Sequence, residues 1–263
     1  MTDRFSSARP EREAAGASLS LTGELQHRNL RSDKAPTTDN QVAVQGSDSD
    51  AAPSTIFVPQ HYEPKYAYPL LIWLRPSEAA TGEAWELPRL MSTISDRNYI
   101  GIAVDVPAVP ALDNLSVDRE ALLLDLALRV EQAVVRARRV VHIHTERVFL
   151  AGFGAGATWA LELGLARPEW FAGIISLAGQ FPPSRQALRR FRDLRGKRVL
   201  LGTGRRDERA TVDEIHSAGR LLHSAGLRVC TRLYDARHEI IREMLNDVDR
   251  WVMQEIYEPG VAA

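Results

Sequence analysis

Two residues in the second half of the chain are of types that together move protons. Asp207 lies in RRDER, directly after the apolar run KRVLLGTG, and His238 lies in DARHE, directly after LRVCTRLY. An aspartate that accepts from one ring nitrogen of a histidine leaves the other nitrogen free as a base. Such a base activates a hydroxyl or thiol for attack on an acyl carbon. The nucleophile itself belongs on a sharp turn between a buried strand and a helix, in the form G-x-S-x-G. The chain has a turn of that shape in VFLAGFGAGATWALELGLA, but its centre reads Gly152-Phe153-Gly154-Ala155-Gly156. Positions 154, 207 and 238 follow the order nucleophile, acid, histidine, and the first of them carries a hydrogen where the chemistry needs a hydroxyl. Each residue also has an ordinary reading: an aspartate after a strand caps or turns the chain, and a histidine before a helix is commonly structural.

Placing these residues at one end of a sheet requires alternating strands and helices, and the pattern from Ser54 onward supplies them. STIFVPQHY and YPLLIWLRP read as strands, the second apolar enough to be covered on both faces. A helix is expected over 83–97, a strand at YIGIAVDVP, and a helix from Ser116, as N-cap, to about Arg138. Leu122, Leu126, Val130 and Val134 give that helix one core-facing stripe. The elbow strand is expected at 148–152, a helix opens at Gly156, and a further strand covers 172–177. A short helix at 182–192, the strand KRVLLGTG, a helix at 211–223, the strand LRVCTRLY and a helix at 239–256 follow. The order predicts right-handed crossovers and a mostly parallel sheet, with its working loops at the carboxyl ends of the strands.

Composition narrows the setting. Lys and Arg number 33 against 34 Asp and Glu, so bulk charge favours neither nucleic acid nor an acidic membrane. No window reaches the roughly 18 apolar residues of a membrane span, and no secretory leader precedes the domain, so the expectation is cytoplasmic. The single cysteine, Cys230, cannot form an internal disulfide and reads as a buried thiol. Residues 1–52 are polar and poor in aromatic clusters, and are read as a disordered tail. One domain spans 53–258, and 259–263 form a flexible terminus.

Across about residues 54–257 the chain resembles the phospholipase/carboxylesterase branch of the α/β-hydrolase superfamily, which includes acyl-protein thioesterases and bacterial serine esterases. The resemblance rests on YPLLIWLRP, ERVFLAGFGAGATWALELGLARPEWFAGIISLAG, VLLGTGRRDERATVDEI and LYDARHEI. It implies a single-domain α/β-hydrolase fold, a mostly parallel central sheet with helices on both faces. It also implies that Asp207 is the acid, His238 the base and the Ala155 backbone N–H one oxyanion donor. Two positions depart from the family pattern: Gly154 stands for its serine, and Arg75-Pro76 for its oxyanion His-Gly. Pro76 has no N–H to donate. The function implied is that of an inactive serine-esterase homologue that binds a ligand or partner. The alternative is an ester or thioester hydrolase in which His238 and Asp207 serve water or an unrecognised nucleophile, with Ser77, Thr158 and Ser176 weighed for that part.

Arg75, Arg205, Arg206 and Arg237, with Arg185 nearby, fall in the loops at the predicted mouth. Guanidinium groups capture carboxylate or phosphate in bidentate fashion, which suits an anionic small molecule or peptide. The other reading pairs them with Asp207, Glu208 and Asp235. The run Arg189, Arg190, Arg192, Arg195, Lys197 and Arg198 reads as a basic surface patch, and too few aromatics interleave it for nucleic acid. His142 and His144 lack the further ligands a metal would need and read as structural. No cofactor is expected, and a protein partner or a homodimer is compatible with the sequence.

Overall fold

Along YPLLIWL the side chains alternate between two apolar environments, because successive strand residues point to opposite faces of a sheet. Leu70, Ile72 and Leu74 enter one core cluster and Leu71 and Trp73 another. The computed structural model describes residues 41–44, 54–76, 86–107, 118–182 and 192–257. Its elements are β1 (Gln41–Val44), β2 (Ser54–Phe57), β3 (Tyr68–Pro76), α1 (Leu87–Ile94), β4 (Ile100–Val106), α2 (Arg119–Arg138), β5 (Ile143–Phe153), α3 (Ala155–Ala166), β6 (Gly173–Leu177), β7 (Arg198–Gly204), α4 (Val212–Ser224), β8 (Arg228–Tyr234) and α5 (Arg242–Tyr257).

The eight strands form one sheet in the order β1-β2-β4-β3-β5-β6-β7-β8. Strands β3 to β8 pair in parallel, and β1 and β2 add an antiparallel end. Helices α2 and α3 pack on one face through Leu126, Val130, Val134, Trp159 and Leu163, with α4 beside them through Ile215 and Leu222. Helices α1 and α5 cover the other face through Met91, Met244, Val248 and Trp251. Both faces are therefore covered, as the apolar β3 run requires.

Several boundaries differ from the sequence reading. Gln41–Val44, within the stretch read as a tail, pairs antiparallel with Ser54–Phe57; the rest of 1–52 and 259–263 lie outside the described residues. Helix α1 is shorter than expected because Ser95 turns extended at φ −169° and ψ 130°. Ser116 lies outside the described residues, and the cap of α2 is Asp118, whose carboxylate accepts from the N–H groups of Glu120 and Ala121. The elbow strand β5 is 11 residues long and absorbs Ile143 and His144. Helix α5 opens at Arg242. The expected short helix at 182–192 falls almost wholly outside the described residues. The basic patch is not a patch at its carboxyl end: Arg198 is 8% exposed, with its guanidinium 5.1 Å from the Trp251 ring centre, and Lys197 donates to the Phe171 carbonyl. Cys230 is half-buried rather than buried.

A buried ion pair ties the start of α2 to the middle of α3. Arg119 Nε donates to both carboxylate oxygens of Glu162 at 3.0 Å, and Nη2 donates to Oε2 at 2.6 Å. Glu162 is 2% exposed, and the Arg119 guanidinium also stacks 4.6 Å from the Trp159 ring centre. At the far side of the sheet β8 pairs only with β7 among the described residues and carries Arg228, Thr231 and Arg232.

Candidate active site

The turn from β5 into α3 is folded so hard against β3 that its last glycine, Gly156, leaves no alternative. A Cβ on Gly156 would stand 2.2 Å from the Leu74 carbonyl oxygen, a separation no side chain tolerates. Gly154 differs. Its φ of +56° and ψ of −123° are strained for any other residue, and a Cβ there would stand closer to the His238 ring than an ordinary van der Waals contact. The nearest atom to a Cβ built there is His238 Nε2, at 3.2 Å. The turn is held by its backbone: Gly154 N–H donates to the Leu177 carbonyl at 2.9 Å, and its own carbonyl accepts from Thr158 N–H at 3.1 Å. Ala155 is exposed and opens α3, so its N–H is among the first four that a helix leaves unpaired, at its partly positive end.

The acid and the histidine arrive on neighbouring parallel strands. Arg205 N–H donates to the Tyr234 carbonyl and Arg206 N–H to that of Ala236, which locks the loop after β7 to the loop after β8. Asp207 Oδ2 then meets His238 Nδ1 at 2.8 Å, while Oδ1 accepts from Arg209 and Ala210 N–H at 2.8 and 3.0 Å. The Asp207 side chain is wholly buried and that of His238 is 23% exposed. Because ionised Asp207 only accepts, Nδ1 is the donor and Nε2 faces Gly154 as the free base. The Phe153 ring packs against the imidazole with centres 5.0 Å apart, fixing its tilt.

Burial is the largest influence on the Asp207 carboxyl and would raise its pKa. The N–H groups of Ala210 and Arg209 and the His238 ring outweigh it, so the value lies below the ordinary 3.8. A depressed carboxyl contributes stability that is complete above the unfolded value and is lost as pH falls through the folded one. Denaturant melts should therefore show the wild type ahead of Asp207→Asn at neutral pH, with the gap closing below about pH 4. A gap independent of pH would remove this account.

The remaining expected site residues are placed less uniformly. Arg75 is not free for a ligand in this arrangement: its Nε donates to Asp105 Oδ1 at 2.6 Å, between residues that are register partners on β3 and β4. Asp105 was not foreseen, although a lone acid near the end of the apolar run YIGIAVDVP is a usable signal. Pro76 ends β3 beside Val106, and the chain from Ser77 to 85 lies outside the described residues. Arg206 pairs with exposed Asp235 at 2.9 Å. Arg205 and Arg237 are exposed and have no ionic partner among the described residues. Arg185 lies outside them. Thr158 is occupied, its Oγ1 accepting from Gln180 N–H at 3.0 Å. Ser176 is fully buried and its hydroxyl has no hydrogen-bond partner, so no base activates it. Among the described residues no group of three or more His, Cys, Asp or Glu side chains could hold a metal ion.

The family model for Phospholipase/Carboxylesterase matches residues 112–256, which includes positions 154, 207 and 238 but not 75 and 76. A protein of Nocardia uniformis subsp. tsuyamanensis named "Putative esterase NocK" is 38% identical over 82 residues. That stretch is 31% of this chain and 23% of that protein, so the chain spans about a quarter of its curated relative's length. Among solved structures, a thermostable esterase superposes with a TM-score of 0.59 at 17% identity, over 82% of this chain and 63% of that one. Esterase PE8 gives 0.58 at 19% identity, over 76% and 96%. At such identities the structural likenesses carry the fold alone.

Proposed function

The chain belongs to the phospholipase/carboxylesterase family, and from that premise we propose a member that has lost serine-ester hydrolysis and keeps its site for binding. The fold is that of the α/β-hydrolases, with the mostly parallel, doubly covered sheet expected from the sequence. One observation carries the reading: the position 3.2 Å from the base of an intact acid–histidine pair holds glycine, so no side chain there can attack. The site still offers His238, the first N–H of α3 and the guanidinium groups of Arg205 and Arg237, which have no ionic partner among the described residues. That chemistry suits an anionic small molecule or peptide, held without turnover. The paired Arg75 and Arg206 would join only by exchanging Asp105 and Asp235 for the ligand. A cytoplasmic setting belongs to the same proposal; among the described residues no helix is long and apolar enough to cross a membrane.

The integrity of the Asp207–His238 pair supports a second reading. His238 Nε2 would take a proton from a water lodged beside Gly154, and the resulting hydroxide would add to an ester or thioester carbonyl. Hydrolysis of p-nitrophenyl acetate and fluorophosphonate labelling separate the two. The expected result is no labelling and equal rates for wild type and His238→Ala. A wild type faster than His238→Ala would transfer the case to activated water, and a labelled residue would sink both readings.

A further inference from the structure

At the amino ends of the strands, remote from the acid and histidine loops, lies a cavity of about 390 Å³ that the proposed function does not use. Its size falls at the lower end of the range for small-molecule sites, about 300 to 1,000 Å³. We propose that it binds a monoanionic amphipathic ligand, a carboxylate carried on a flat apolar body.

The walls supply both halves of that description. Tyr66 and Tyr257, exposed by 49% and 76%, are the two most open aromatic side chains among the described residues, and both line this cavity. Met253 and Ile256 of the last turns of α5 add apolar lining. Arg97, in the turn before β4, and Arg147, half-buried on β5, border it as well. Among the described residues neither guanidinium has an ionic partner, and Glu63 is the one acid in the lining. In the described lining two cations against one anion leave a single positive charge to be met, which is the reason for a monoanion. Arginine presents a planar fork that matches a carboxylate, and tyrosine rings accept a flat apolar surface at little entropic cost.

The frame is already set for binding. Tyr68 is buried, its hydroxyl accepts from Glu63 N–H at 3.1 Å, and its ring meets Tyr66 edge-on with centres 4.6 Å apart. Asn98 is held by Asp249. The part of the wall built from Tyr68 and Asn98 is thus in place before a ligand arrives, which lowers the ordering cost of binding.

The test is calorimetric titration of the full chain with 2-naphthoate, using 2-naphthylmethanol as its uncharged counterpart. Saturable binding of the carboxylate is expected, with the alcohol at least tenfold weaker. Arg147→Met should lower the naphthoate affinity tenfold or more without changing the thermal melt, and Arg147→Lys should restore part of it. Tyr66→Ala should weaken both compounds. His238→Ala should leave both unchanged, because that residue sits at the other end of the sheet. No saturable binding, equal affinity for acid and alcohol, or loss on His238→Ala but not on Arg147→Met would each overturn the assignment.

Discussion

Gly154→Ser is expected to create an esterase. Removing the serine of a working triad costs about 10⁶ in kcat, so returning it to a poised acid–histidine pair could recover that factor. On the proposal that Arg75-Pro76 stands in place of an oxyanion donor, about 10² to 10³ of that is withheld. The difference leaves a gain of about 10³ to 10⁴ over wild type on a short p-nitrophenyl ester, with fluorophosphonate labelling at the new hydroxyl. The same change places a side chain at a φ of +56°, 3.2 Å from the imidazole. A strain of about 1 to 3 kcal/mol follows, and the melting temperature should drop by several degrees. A folded Gly154→Ser protein with wild-type rates would show that Asp207 and His238 are not poised.

Arg119→Ala should be among the most destabilising single changes. It leaves Glu162, 2% exposed, as an unpartnered buried charge and removes the cation stacked on Trp159, for which the expected loss is about 3 to 5 kcal/mol. The reverse change, Glu162→Ala, frees an arginine that is 29% exposed and can turn toward water, so its cost should be smaller. Replacing both, Arg119→Ala with Glu162→Leu, should regain much of the deficit, because an apolar pair needs no desolvation of charge. Urea melts of the four proteins read this directly. Equal losses for the two single variants would mean that the pair acts through packing alone.

The strands from β2 onward were legible because each is a short apolar run closed by Gly, Pro or charge, and mostly parallel pairing follows from the helices between them; β1, inside a polar stretch, was not. The acid–histidine pair was legible for a similar reason: Asp207 and His238 each follow a strand end directly, so neighbouring parallel strands bring them together whatever the side chains between. What was hidden depends on distant register. Nothing near Arg75 announces Asp105, 30 residues on, until β3 and β4 align them. Arg198 reads as one more surface charge in a basic run until Trp251, on the last helix, covers it. Ser116 and Asp118 are equally good caps on paper, and the backbone chooses Asp118. The cavity between Tyr66 and Tyr257 draws on four separate segments, so no local pattern could outline it.

The open side of β8 bears on how the protein behaves in a crowded solution. The parallel strands from β3 to β7 each have a strand on both sides, whereas among the described residues β8 has β7 alone, leaving an edge of the kind on which two copies could zip together. Its RVCTRLY sequence answers this with two arginines four residues apart, one of them 3.8 Å from Asp247 on the covering helix. Joining two such edges antiparallel would crowd four guanidinium groups into one ladder and strip them of water. The charge on β8 is thus of the kind that keeps an open sheet edge from pairing with a second copy, a role separate from that of the acid and the histidine.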